Sequence, residues 1–263
     1  MPNLPEVTAA LEAIAPLRLA AGWDSVGLLV APRWSDIARV LTCLTLTPEV
    51  AAEAVREGAN LVVTHHPLPF RPILRLTPET GTGRVLLELV GHGIGVWSSH
   101  TAWDSAAGGI NDQLAAMLGL ENVAPIEPDT IDPQTGFGRQ GRAPAGSTVA
   151  VVARLLAERL RPAAIQIVGE AQQSAGRVGI VCGSGGDLIA EVAAAGCTTL
   201  VTGELKLHQA VEARAAGLAV VAVGHHSSEH FAMGELARRL AAAVPGLDAR
   251  PSAADHDPIG WLR

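Results

Sequence analysis

A gapless internal repeat constrains this chain more than any other feature. Arg39 to Thr64 and Arg177 to Thr202 match at seven of 26 positions, among them the opening Arg-Val, an Ala-Glu, a Gly and the closing Val-Thr. Each copy reads as strand, helix, strand. In the first, Thr47 is placed to cap the helix, Pro48 takes its first position and Gly58 ends it. A short apolar strand after a crossover helix implies parallel pairing, so the residues beyond Thr64 and Thr202 leave a sheet at strand carboxyl ends. Open α/β sheets carry their functional sites at such ends. The residues there are His65 and His66 in the first copy, Gly203 and Glu204 in the second. Each half then runs through another apolar stretch to a polar quartet, His100-x-x-x-Asp104 or His225-x-x-x-Glu229.

The flanking sequence extends the same alternation. The first half is expected to hold a helix over 5–20 bent near Pro16, strands over 26–30, 40–46, 61–64 and 94–98, and helices over 84–90 and 110–118. The second is expected to hold helices over 148–160, 187–195, 207–216 and 228–243, with strands over 164–168, 177–182, 198–202 and 218–223. Between them, residues 121–147 are rich in Pro and Gly and poor in apolar periodicity. The expected organisation is therefore an α/β half over 1–126, a connector over 127–147 too short for an inserted domain, and a second α/β half over 148–263.

Composition removes several functions. With 48% hydrophobic and 17% charged residues, the 263-residue chain has the make-up of a folded body with a sizeable core. A net charge of −7 and scattered basic residues argue against a nucleic-acid partner. No apolar run is long enough to span a bilayer and the N-terminus lacks a signal-peptide pattern, so no membrane partner is expected. Cys43, Cys182 and Cys197 are an odd trio in apolar surroundings without CxxC spacing, which predicts reduced core thiols and a cytoplasmic setting.

The His and carboxylate set, without thiolate, suits divalent ions such as zinc, manganese, iron, cobalt or nickel. His65 and His66 can each turn toward one of two ions, and the four-residue spacing within each quartet brings its members together on one helical turn. Ions about 3.5–4 Å apart acidify a shared water enough for hydrolysis near neutral pH. Glu204 and His208, in Thr202-Gly203-Glu204-Leu205-Lys206-Leu207-His208, are candidates for a general base or a substrate contact. His226 either orients a ligand or fills space, His230 reads as an exposed neighbour, and His92 and His256 read as surface positions. The Gly183-Ser184-Gly185-Gly186 turn offers backbone amides to a phosphate, and tight packing of the strand-helix turn accounts for it nearly as well.

Trp23-Asp24-Ser25-Val26-Gly27-Leu28-Leu29-Val30, Thr64-His65-His66-Pro67, His100-Thr101-Ala102-Trp103-Asp104 with Gly108-Gly109-Ile110-Asn111-Asp112, Thr202-Gly203-Glu204, and Gly224-His225 through Glu229 together resemble the NIF-three-like family, also labelled type 2 GTP cyclohydrolase I. The resemblance spans almost the whole chain. It implies a body of two pseudo-symmetric α/β lobes with a metal site in the cleft between them, and assembly as a toroidal homohexamer. It also implies two divalent metal ions held by His65, His66, Asp104, His225 and Glu229, with Glu229 bridging. The implied activity is metal-dependent hydrolysis of a purine nucleotide, in which Glu204 or His208 moves protons. A phosphoesterase and a non-enzymatic metal-delivery protein are the alternatives. Ser25 and Trp97 depart from the family's frequent Asn and Tyr. Phe137-Gly138-Arg139 resembles a connector motif, and Arg139 is a candidate phosphate contact.

Overall fold

The two copies of the repeat form parallel strand pairs in one and the same register. In the computed structural model, which describes residues 1–262, Val40 pairs with Leu61 and Cys43 with Thr64, while Val178 pairs with Thr199 and Val181 with Thr202. Every one of these pairs is equivalent under the gapless alignment. Helix starts follow from local sequence, at the first copy's crossover helix and at a helix that precedes the second copy. Thr47 caps Pro48–Arg56 through the amide of Val50, and Thr148 caps Val149–Leu160 through the amide of Val151.

The chain divides into two units. The first comprises Met1–Trp103 and Ala232–Pro258. Its five-stranded sheet runs Gly27–Val30, Gly95–Ser98, Leu61–Thr64, Arg39–Cys43, Asp248–Pro251 in spatial order. Only Gly27–Val30, at one edge, is antiparallel. The central Leu61–Thr64 strand is buried along its whole length, as expected of a parallel strand covered on both faces. Leu41, Val50, Val62, Leu89 and Val96 belong to one buried cluster that fixes the Pro48–Arg56 and Gly81–Gly91 helices on this sheet.

The second unit comprises Asp104–Phe231 and the residues from Ile259 onward. Its six-stranded sheet runs Glu121–Ala124, Arg139–Arg142, Arg177–Val181, Thr199–Thr202, Ala219–Ala222, Gln166–Val168. The three middle strands from Arg177 to Ala222 are parallel and Gln166–Val168 closes that edge antiparallel, repeating the first unit's four-strand order. Val181, Ile189, Val192, Leu200 and Val220 form its core cluster.

Three segments differ from the sequence reading. Residues 121–147, read largely as a connector, place Arg139–Arg142 antiparallel against Arg177–Val181. The buried positions of that strand are Arg139 and Gly141, so it carries no apolar alternation to detect. The tail forms the edge strand Asp248–Pro251, whose Asp248 pairs with Arg39 at 2.7 Å. The helix expected over 228–243 is two, His225–Glu229 and Ala232–Ala243. Among the described residues no helix is long and apolar enough to cross a membrane.

Candidate metal centre

In the first unit the ladder runs two residues past its strand. The His65 amide donates to the Cys43 carbonyl at 2.8 Å and the His66 amide to the Leu44 carbonyl at 2.9 Å. Ser98 Oγ donates to the His65 carbonyl at 2.8 Å, so the backbone at His65 is held from both neighbouring strands. His65 is buried, and its ring centroid stands 5.2 Å from those of both His66 and His100; His66 and His100 are 5.7 Å apart. One ligand nitrogen from each lies within 4.8 Å of the others.

Two of these imidazoles are anchored through Nδ1. His66 meets Thr45 Oγ1 at 2.8 Å, and His100 meets the buried Asp24 carboxylate at 2.7 Å. Anchoring one ring nitrogen fixes the tautomer and directs the other, which is how metal-binding histidines are oriented. Burial would raise the Asp24 pKa, but hydrogen bonds from His100 and Thr101 outweigh it and hold the group below the ordinary carboxylate range. The chain reaches His100 through a φ of +24°, an uncommon backbone state for a residue with a side chain and one that clusters at functional sites.

The second unit gathers carboxylates around one imidazole. His225 Nε2 lies 3.2 Å from Glu229 Oε2, and its Nδ1 lies 3.1 Å from Glu204 Oε1. Burial depresses the His225 pKa, but contact with Glu229 and Glu204 prevails and raises it to about 9. Ser184 Oγ donates to Glu204, a bond that, against partial burial and together with His225, lowers the Glu204 pKa. Asp104 is buried and accepts from Cys182 Sγ at 3.2 Å. Burial and the charges of Asp104 and Glu229 push the Cys182 thiol well above its ordinary value, so it acts as a neutral donor to Asp104. Gly183 leaves room for both groups: its φ is +62°, and a Cβ on it would lie 2.3 Å from Glu229 Oε1 and 3.2 Å from His225 Nε2, pushing that carboxylate aside. Imidazole and carboxylate donors without thiolate fit a divalent ion of intermediate hardness.

A family model described as Duf34/NIF3 (NGG1p interacting factor 3) matches residues 2–258. The chain belongs to the Duf34/NIF3 family. A GTP cyclohydrolase 1 type 2 homolog from Clostridium perfringens is 33% identical over 227 residues, covering 86% of this chain and 87% of that protein. A protein of the same name from Streptomyces coelicolor is 37% identical over 234 residues, covering 87% and 82%. The crystal structure of a Bacillus cereus protein related to NIF3 shares the fold with a TM-score of 0.91 at 21% identity, covering 99% of both chains.

Other candidate residues of this Duf34/NIF3 protein fall in different places. His208 is exposed on the Leu207–Ala215 helix, and among the described residues no hydrogen bond or ion pair joins it to the His225 cluster. His226 and His230 stack on one another, centroids 4.5 Å apart, both half-buried rather than exposed. Arg139 does not serve a phosphate. Its buried guanidinium is bound by Asp112 and by the carbonyls of Gly136, Gly138, Ser105 and Ala106. The glycine turn at 183–186 serves packing: the Gly183 amide donates to Ser228 Oγ and the Gly185 amide to Thr202 Oγ1. Asp24, Thr45 and Ser184 carry no site role in the sequence reading, and Cys182 is read there only as a core thiol. Asp24 precedes its partner His100 by 76 residues, and no local spacing signals the pair.

Proposed function

We propose that this protein is a metal-dependent hydrolase with a dinuclear centre, acting on a purine nucleotide, and that it works as a homohexamer in the cytoplasm. The carrying observation is the convergence of His65, His66 and His100 to within 4.8 Å, each on a separately anchored backbone or ring. The His225–Glu229 pair of the second unit adds the carboxylate chemistry. In this reading His65, His66, Asp104, His225 and Glu229 would hold two divalent ions, with Glu229 suited to bridge them, and His100, the third imidazole of the first unit's cluster, would be a further ligand. Ions so placed would acidify a water molecule and polarise the substrate.

The protein's own groups divide the remaining work. Glu204 is held ionised by Ser184 and touches His225, so it is the group suited to accept a proton from the attacking water. It takes this role in preference to His208, which makes no hydrogen bond or ion pair with the His225 cluster among the described residues. Cys182 fixes the orientation of Asp104 by donating to it. The purine nucleotide is suggested by the relatives called GTP cyclohydrolase 1 type 2 homolog. Elemental analysis of protein purified without added metal, with nucleotide turnover measured for wild type and Glu229→Ala, tests the reading. Two ions per wild-type chain, with loss of metal and turnover in the variant, are expected. A metal-loaded wild type that turns over no purine nucleotide, or a variant that keeps both ions, overturns it.

A further inference from the structure

Beside the imidazole cluster of the first unit stand two aromatic rings that its core does not use. Trp23 is 67% exposed and Phe70 51% exposed, with centroids 6.3 Å apart. Each meets the His100 ring nearly edge-on, Trp23 at 6.0 Å and 75°, Phe70 at 6.2 Å and 78°. Leaving so much aromatic surface in water forgoes the gain of burying it, which folding ordinarily takes. Exposed rings gathered at a polar cluster are a recurrent mark of a ligand surface.

The indole is also held in place. Asp24, next in the chain, has a buried side chain bonded to His100 and Thr101, and its amide donates to the Ala21 carbonyl at 2.9 Å. Consecutive residues thus split their duties. The carboxylate of Asp24 goes inward and orients an imidazole, while the indole of Trp23 stays outside against the same imidazole. A rigid ring with two torsions, fixed at its backbone, loses little freedom when a ligand covers it.

We infer that Trp23 and Phe70 form a stacking platform for the planar heteroaromatic ring of the substrate. The inference rests on the hydrolase reading above and names the residues that select its substrate. An aromatic face stacks on any nucleobase, because every base presents a π-face. A phosphate or sugar alone presents none. The platform therefore distinguishes a nucleotide from a ring-free phosphoester, which the ion-binding residues would not.

Calorimetric titration of the metal-loaded protein with guanosine 5′-monophosphate and with ribose 5-phosphate tests the platform without relying on turnover. For Trp23→Ala the nucleotide should bind about tenfold more weakly, the scale of a lost base stack, while ribose 5-phosphate is unaffected. Trp23→Phe should restore part of the loss, and metal content should match wild type in both variants. Equal affinity of wild type for the two ligands, or unchanged nucleotide affinity in Trp23→Ala, overturns the inference. So does a change in subunit number in Trp23→Ala, which would make these rings a contact between copies of the chain. Ring-dependent binding without any turnover would uphold the platform while the hydrolase reading fails.

Discussion

Gly183→Ala probes the site through a single methyl group. Alanine at φ +62° costs about 1–2 kcal/mol in the left-handed region. Loss of unfolded-chain entropy offsets about 0.4–1 kcal/mol of that. The remainder, on the order of 1 kcal/mol, lowers Tm by about 2–4 °C in a chain of this size. Gly217→Ala is the internal control, because Gly217 has φ +70° and nothing within 4 Å of the added Cβ. At Gly183 the same Cβ would stand 2.3 Å from Glu229 Oε1, so that oxygen must retreat by about 1 Å to reach van der Waals separation. Metal–ligand distances hold to within about 0.2 Å of their standard values, so a carboxylate moved that far must find a new rotamer or leave the ion. The expected result is a modest Tm loss in both variants, with loss of bound metal in Gly183→Ala alone, measured by thermal unfolding and elemental analysis. If Gly183→Ala retains the wild-type metal content and affinity, Glu229 is not a ligand in the position described here.

Two further perturbations separate orientation from stability. Asp24→Asn removes the carboxylate that anchors His100 and should weaken metal binding about 10- to 100-fold while leaving the unfolding midpoint of the metal-free protein near wild type; unchanged affinity in a competition titration with a chelator would refute the anchoring role. Glu53, only 6% exposed, accepts from the amides of Ala253 and Ala254 and from Ser252, and against the upward push of burial these bonds hold its pKa below the usual range. A depressed carboxylate pKa contributes stability that is full above the unfolded value of about 4.3 and is lost as pH falls through the folded value. Glu53→Gln should therefore cost on the order of 2 kcal/mol in urea unfolding at pH 7, and the gap to wild type should narrow toward pH 4; an equal gap at both pH values counts against the linkage.

Parts of the fold and site were legible because they are encoded locally. Thr47-Pro48 and Thr148 announce helix starts through one side-chain bond each, and the continuous apolar runs at 61–64 and 199–202 announce buried parallel strands. His65 and His66 follow such a strand directly, which is why their place at its carboxyl end was readable. Features settled by distant packing were not. The inner face of Arg139–Arg142 is an arginine satisfied by Asp112 and four carbonyls, and only the assembled unit brings those partners together. Asp248–Pro251 becomes a strand because the edge of Arg39–Cys43 is open to it. His208 follows the strand ending at Thr202 closely enough to suggest a site residue, yet the helix that begins at Leu207 presents it to solvent.

The repeat also explains why its two copies bring different donors. Under the gapless alignment His65 corresponds to Gly203 and His66 to Glu204. A Cβ on Gly203 would lie 2.6 Å from the Gly183 carbonyl oxygen, 2.7 Å from Ser228 Oγ and 2.9 Å from His225 Cα. No imidazole fits there, because the Gly183 turn and the His225–Glu229 helix close over the strand end. The second unit must offer its imidazole from the next element instead, and it does so through His225, at nearly the place that His100 holds in the first. With a side chain at 203 excluded by packing, the next position carries an acid, and Glu204 there reaches His225 Nδ1. One ladder register thus carries an imidazole-rich half and a carboxylate-rich half, and the steric demand at Gly203 accounts for the missing counterpart of His65.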